Sequence, residues 1–260
     1  HQQSSNWVKS TFKESSAVFL ETFRFPSINQ TNCKEWMSLK GDKHLKDALK
    51  QGKGAMLVLV HYGANQMIMA ALGYNGYKIN QIGSRPDDWH RLSGLTPSKL
   101  DRKIFELRNQ LEKSLPANFI FIDRSMRPVY NCLKQNEIML LACDGRAGSR
   151  FIQVEMCGRT MSLSAGPFRI AEATGAPLIP VFPVRCENGS HELHILPPII
   201  PETENSSLSW SEKAARLYGQ RLSEWVRLRP DHYLMLMAEA AIRSKIDPEP
   251  LFEDFRYGPQ

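Results

Sequence analysis

His61 closes the apolar run Met56-Leu57-Val58-Leu59-Val60, which Gly52 and Gly54 precede and Tyr62-Gly63-Ala64-Asn65-Gln66 follows. A short apolar run bounded by glycine reads as a buried strand, so the histidine stands at a strand's carboxyl end. In open α/β sheets, ligands bind just beyond such ends. A neutral imidazole there is suited to take a proton from a bound hydroxyl; the plainer alternative is a polar cap on the sheet. Gly63 permits a sharp turn, and Met67 to Leu72 reads as the start of a helix. Gly63 and the amides opening that helix are candidates for an oxyanion hole, because helix N-termini carry unpaired N–H groups. An ordinary strand-to-helix turn has the same sequence.

Two more strands end in polar residues. Phe119 to Ile122 runs into Asp123-Arg124, and Ile138 to Ala142 runs into Asp144-Gly145-Arg146. Three strands converging in this way argue for a site. Arg124, Arg146, Arg150, Arg159 and Arg169 lie in and around these blocks. The planar guanidinium fork suits phosphate, although some of the five belong to surface ion pairs. Asp123 is expected to order its loop. Other motifs lead nowhere. His191 and His194 form HxxH, but strand alternation puts them on opposite faces, against a shared metal. Ser162 and Ser164 lack the G-x-S-x-G context of a nucleophile. Ser84-Arg85-Pro86-Asp87-Asp88 reads as a turn, and neither a P-loop nor G-x-G-x-x-G occurs.

The elements that position these residues alternate between strand and helix. Leu45, Ala48 and Leu49 suggest a short helix before the His61 strand, and Lys78 to Gly83 a second short strand after it. Thr96-Pro97 predicts a helix start, and Leu100, Ile104, Leu107 and Leu111 recur at the period that buries one face. Phe151 to Thr160 alternates around Cys157-Gly158 as a hairpin does, and Ser164 to Thr174 is a helix stopped by Gly175. Leu178 to Val184 is a strand with prolines at 177, 180 and 183, expected at an edge or irregular. His191 to Leu196 is another strand. Residues 202–207 form a polar loop. Ser209 and Glu212 form a capping box for a helix to about Arg229, and a last apolar helix spans Tyr233 to Ile242. The fold class is therefore α/β, one domain with a mixed, largely parallel sheet flanked by helices.

Residues 1–34 form an N-terminal segment ahead of the α/β domain at 35–260. Phe12, Phe19 and Phe23 fall at helical spacing among Lys13, Glu14, Glu21 and Arg24. Such a helix lies on a membrane or packs on the core. At 260 residues with 42% hydrophobic and 23% charged content, the chain is globular. Its net charge of +6 favours anionic partners, among them nucleic acid, an acidic carrier protein or a membrane leaflet. No stripe of basic residues interleaved with aromatics supports nucleic acid. Cys33, Cys132, Cys143, Cys157 and Cys186 include no CxxC pair, which points to a reduced compartment without a disulfide or zinc framework. No apolar run is long enough to span a bilayer. The chain begins at His1 rather than Met, so an upstream segment, such as an anchor, is expected.

With these residues in view, the chain resembles the lysophospholipid acyltransferase superfamily, and within it the lipid A late acyltransferases. His61-Tyr-Gly-Ala-Asn-Gln66 sits where the family has H-x4-D/E, and Phe119 to Arg124 is similar to its strand ending in arginine. Asp144-Gly145-Arg146, Gly158-Arg159-Thr160 and Gly166-Pro167-Phe168-Arg169 resemble the acceptor-binding block. Ala176 to Phe182 resembles the last, proline-bearing strand. Glu224-Trp225-Val226-Arg227 and Pro230-Asp231-His232-Tyr233 look like the C-terminal signature. The resemblance spans about residues 35–236. It implies a lysophospholipid-acyltransferase-like fold and His61 as general base, with no bound cofactor or metal. It also implies a phosphopantetheine-carrier thioester as donor and a lipid A or related glycolipid hydroxyl as acceptor. The implied partners are an acyl or aminoacyl carrier protein, the acceptor lipid and the bacterial inner membrane, on whose cytoplasmic face the protein is peripheral or N-terminally anchored.

One departure stands out. The family's carboxylate, five positions after the histidine, is here Gln66. A glutamine can orient the ring but carries no charge, and in a serine-protease triad the Asp-to-Asn change costs about 10⁴-fold in rate. Another carboxylate then serves His61, with Asp144, Asp123 and Glu155 as candidates, or the reaction needs less help, or catalysis is poor. The same branch includes members that transfer an aminoacyl group such as glycine, and a changed donor is one reading of Gln66. The alternatives are acylation of another glycolipid or a lysophospholipid, and a catalytically inactive lipid-binding protein of the same fold.

Overall fold

The computed structural model describes residues 2–83, 98–121, 125–146, 148–201, 207–244 and 249–256. The expected start at Thr96-Pro97, the turn at Ser84 to Asp88, Asp123, Arg124 and residues 202–206 lie outside them. In chain order the first elements are α1 (Gln2–Glu21), α2 (Cys33–Trp36), β1 (Met37–Lys40), α3 (Asp42–Leu49), β2 (Ala55–Leu59), α4 (Met67–Gly73) and β3 (Ile79–Ile82). There follow α5 (Lys99–Glu112), β4 (Asn118–Ile120), α6 (Arg127–Lys134), β5 (Ile138–Ala142), β6 (Phe151–Met156) and β7 (Arg159–Ser164). The chain continues with α7 (Gly166–Thr174), β8 (Leu178–Arg185), β9 (His191–Ile195), α8 (Trp210–Leu228) and α9 (Leu234–Arg243).

Seven strands form one sheet in the order β1-β9-β8-β2-β5-β3-β4, parallel except where β9 runs against β8. The α/β expectation therefore holds. Every residue of β2 is buried, which is why its sequence is continuously apolar rather than alternating. One cluster on the sheet joins Val58, Val60, Phe168, Phe182, Tyr218 and Tyr233, and a second joins Leu57, Leu59, Ile68, Leu72 and Ile179. The hairpin β6–β7 turns through Cys157 (φ 53°) and Gly158 (φ 80°), as its sequence predicts, and packs on α8.

One expectation fails in part, since β8 is irregularly paired but not at an edge, and one fails outright. β8 is not an edge strand: it lies between β9 and β2. Its ladder with β2 covers only Leu178 to Pro180, and its ladder with β9 starts at Val181. Pro180 sits at the junction of the two ladders and Pro183 beyond the first, so the missing N–H groups fall where pairing lapses. The apolar stripe of α5 is not buried either. Leu100 and Leu107 are 66% and 43% exposed and Ile104 is exposed with them. The helix is capped by Ser98 in a capping box with Asp101 and touches the chain mainly at the turn 22–27. Periodicity shows that a face is apolar, not what covers it.

α1 has its polar side inward. Glu14 and Glu21 ion-pair with Arg185 at the end of β8, and Ser10 donates to Asp231 at 2.9 Å. Val8, Phe12, Phe19 and Phe23 stay exposed on the outer side. Among the described residues no helix is long and apolar enough to cross a membrane.

Candidate active site

Register brings the two central residues together. Leu59 of β2 pairs with Ala142 of β5 in parallel, so His61 and Asp144, each two residues further on, leave adjacent strands at the same level. The His61 ring Nδ1 lies 2.7 Å from Asp144 Oδ1, and the His61 backbone N–H donates to Asp144 Oδ2 at 2.8 Å. The Tyr233 hydroxyl donates to the same Oδ2 at 3.2 Å. The Asp144 side chain is fully buried while that of His61 is 48% exposed. With Nδ1–H given to the carboxylate, Nε2 keeps the lone pair. An imidazole held in this way can serve as a general base, with the carboxylate as its orienting acid.

The charges reinforce it. Asp144's negative charge, against burial and the positive charge of Arg108, lifts His61 above the ordinary imidazole value, and Glu239 adds to the effect. Burial works to raise Asp144, but the charge and hydrogen bonds of His61, with the Tyr233 hydroxyl, hold it below the usual carboxylate range. The acid stays ionised, and an imidazolium beside it would be stabilised.

Gln66 is buried but does not turn to His61. Its amide donates to Glu112 Oε1 at the end of α5, and Arg108 Nε donates to the same oxygen at 2.7 Å. Of the three carboxylates considered as replacements, Asp144 is beside His61, Glu155 is exposed on β6, and Asp123 lies outside the described residues. Gly63 takes φ +51°, and an added Cβ would stand 2.7 Å from His232 Cδ2. Its N–H donates to His232 O at 2.9 Å. The N–H groups of Met67, Ile68 and Met69 close turns onto Ala64, Asn65 and Gln66 carbonyls. The N–H groups of Gly63, Met67, Ile68 and Met69 are thus already engaged by a tight entry turn.

Of the five arginines four are described, and their surroundings differ. Arg146 bonds the carbonyls of Glu249 and Ser162 and stacks 4.4 Å over Phe151. Arg159 pairs with Asp254. Arg150 and Arg169 are exposed, and Arg124 lies outside the described residues. His191, buried, bonds Glu21 at 2.9 Å, while His194 leans on Trp225, so the HxxH residues do part. Among the described residues no group of three or more His, Cys, Asp and Glu is arranged to hold a metal. Sequence reading missed Tyr233, Glu112 and Arg108. Tyr233 carried a signal, standing in the Pro-Asp-His-Tyr block; the other two lie on a surface helix without one.

The family model described as bacterial lipid A biosynthesis acyltransferase matches residues 1–239. A phosphatidylinositol mannoside acyltransferase of Mycolicibacterium smegmatis is 26% identical over 183 residues, 69% of this chain and 55% of that protein. The lipid A biosynthesis lauroyltransferase of Escherichia coli is 25% identical over 215 residues, 77% of this chain and 60% of that protein. The chain thus spans somewhat over half the length of these relatives. Among solved structures, the 1-acyl-sn-glycerophosphate acyltransferase of Thermotoga maritima aligns with 87% of this chain and 90% of its own, at TM-score 0.41 and 16% identity.

Proposed function

As the chain belongs to the bacterial lipid A biosynthesis acyltransferase family, we propose that it moves an acyl or aminoacyl group from a carrier-protein thioester to a lipid A hydroxyl, with His61 as general base. The observation that carries this reading is the His61–Asp144 contact at 2.7 Å, with the ring half exposed. Nε2 takes the proton as the acceptor oxygen attacks the thioester carbonyl. The tetrahedral intermediate collapses, the C–S bond breaks and an ester forms. The departing thiolate of the phosphopantetheine arm takes the proton back from His61. The donor remains bound to its carrier, and no resident cofactor enters the reaction.

The exposed apolar residues of α1 and α5, with Lys9, Lys13, Arg24, Lys99, Arg102 and Lys103 on the same helices and the turn after α1, support work at an anionic membrane surface. We assign that surface to the cytoplasmic face of the bacterial inner membrane. An aminoacyl donor, such as glycyl, stays within this reading beside a fatty acyl donor; Gln66, turned to Glu112 and away from His61, does not choose between them. The likeness to a phosphatidylinositol mannoside acyltransferase supports a second acceptor class, another glycolipid. The intact dyad speaks against an inactive lipid-binding protein.

The test is mass spectrometry of lipid A from cells lacking the protein, carrying it, or carrying His61→Ala. A mass gain that needs His61 supports the reading: a fatty acyl increment names one donor, an amino-acid increment the other. A gain that survives His61→Ala removes His61 as the base. No gain on lipid A, with a new mass on another glycolipid, moves the acceptor.

A further inference from the structure

The segment Arg229 to Tyr233 touches Asp144, the turn after His61 and the N-terminal helix at once. The Tyr233 hydroxyl reaches Asp144 Oδ2, the His232 carbonyl accepts from Gly63 N–H, and Asp231 accepts from Ser10 of α1 and from Arg229. His232 Nε2 accepts from the Arg185 N–H at 3.1 Å, and Arg229 donates to the Arg185 carbonyl at 3.0 Å. From these contacts we infer that Tyr233 is a positioning residue for the dyad, holding the second carboxylate oxygen of Asp144 so that the first stays in line with His61 Nδ1. This inference rests on His61 acting as the base.

Three donors meet two carboxylate oxygens: His61 N–H and Tyr233 O–H on Oδ2, and His61 Nδ1 on Oδ1. Rotation of the carboxylate about its Cβ–Cγ bond would break all three, so the plane is set. Without the phenol, Oδ2 keeps only a donor from the residue it must orient. Tyr233 is fully buried, where an unbonded hydroxyl is costly, and Asp144 satisfies it. The segment also holds the turn that follows His61. Gly63 can bond the His232 carbonyl because it lacks a side chain where the His232 ring packs, and that bond seats the loop two residues after His61. Asp144 and the loop of His61 are therefore referred to one short piece of chain, which Glu14, Glu21 and Ser10 of α1 brace through Arg185 and Asp231.

The test is the ring titration of His61 by ¹⁵N NMR in the whole protein, wild type against Tyr233→Phe, with thermal unfolding to check the fold. The charges bearing on the ring are Asp144, Arg108 and Glu239, and Tyr233→Phe changes none of them. With its plane no longer held, the Asp144 carboxylate loses its aim at Nδ1, its charge acts less on the ring, and the His61 midpoint falls by about half a unit. A side chain that merely fills space leaves the midpoint unmoved, because phenylalanine fills the same volume; an unmoved or raised midpoint overturns the inference. 3-Fluorotyrosine at position 233 donates more strongly without changing shape, holds the plane more firmly and moves the midpoint up, a result obtainable even if Tyr233→Phe does not fold. Lipid modification that survives His61→Ala would sink the functional reading and leave this titration standing. An inactive His61→Ala with an unmoved titration sinks the positioning role alone.

Discussion

The amide of Gln66 donates to the carboxylate of Glu112, 46 residues away in the chain, and not to His61 five residues before it. Glu112 is also held by Arg108 at 2.7 Å. A carboxylate at position 66 would face another carboxylate here, and the neutral amide avoids that repulsion. Gln66 is thus suited to its neighbour, while the dyad takes its acid from β5.

The first prediction follows from that pairing. Gln66→Glu sets two acids against one oxygen site, so one of them has its folded pKa raised. The variant is destabilised at neutral pH and recovers as the pH falls through that raised value, the reverse of an ordinary paired acid. The lipid product falls rather than rises. Gln66→Glu combined with Glu112→Gln restores most of the lost stability. Urea unfolding of the four members of this cycle at two pH values tests it; independence of the two substitutions would refute the pairing.

Asp144→Asn keeps the shape of the dyad and removes its charge. Activity is expected to drop by about 10³- to 10⁴-fold, as when a triad acid is neutralised. Asp144's charge is the main cause of the raised His61 value, so the acid limb of the residual activity moves to lower pH. Asp144 is held below its ordinary value in the fold, so its contribution to stability is present above the unfolded carboxylate pKa and lost as pH falls through the folded one. The stability gap between wild type and variant narrows along the same range. A pH–rate profile that only scales down, with no shift, would count against this account.

Glu21 gives a second linkage with a clearer window. Burial opposes its charge, but hydrogen bonds and charges from His191 and Arg185 bring it down from 4.5 to about 2. Its stabilisation is complete above pH 4.5 and disappears as the pH falls toward 2. Glu21→Gln leaves Arg185 with one fewer buried partner and costs about 3 kcal/mol at neutral pH. Acid titration of stability should show the wild type approaching the variant below pH 4.5; parallel curves would mean the pair contributes nothing.

The outer stripe concerns the membrane. Phe12→Ser together with Leu107→Ser removes two exposed apolar side chains that take no part in the Arg185 ion pairs, so the fold and its unfolding temperature should hardly change. Partitioning onto vesicles of anionic phospholipid should fall roughly tenfold or more, given about 1.5–3 kcal/mol for each large side chain that is buried. Unchanged sedimentation with vesicles would place the membrane contact on another face.

Much of this protein was legible in its residues one stretch at a time. The strand of Met56 to Val60, the strand of Ile138 to Ala142, the hairpin at Cys157-Gly158 and the Ser209–Glu212 cap are local facts: apolar runs, backbone freedom and short-range hydrogen bonds need no knowledge of the rest of the chain. His61 was placed at a strand end by the same reasoning, and Asp144 came out as one of three candidates to serve it. Tertiary structure decided the choice among them, because the parallel register of Leu59 with Ala142 sets His61 and Asp144 level, and register between strands 83 residues apart is not written in either strand. It also decided that Leu100, Ile104 and Leu107 face outward, that Gln66 turns to Glu112, and that β8 lies inside the sheet despite its prolines. Each depends on what a neighbour offers: a covering surface, a charge or a ladder bond. A side chain's type sets what it needs, and only the packed chain sets which partner meets that need.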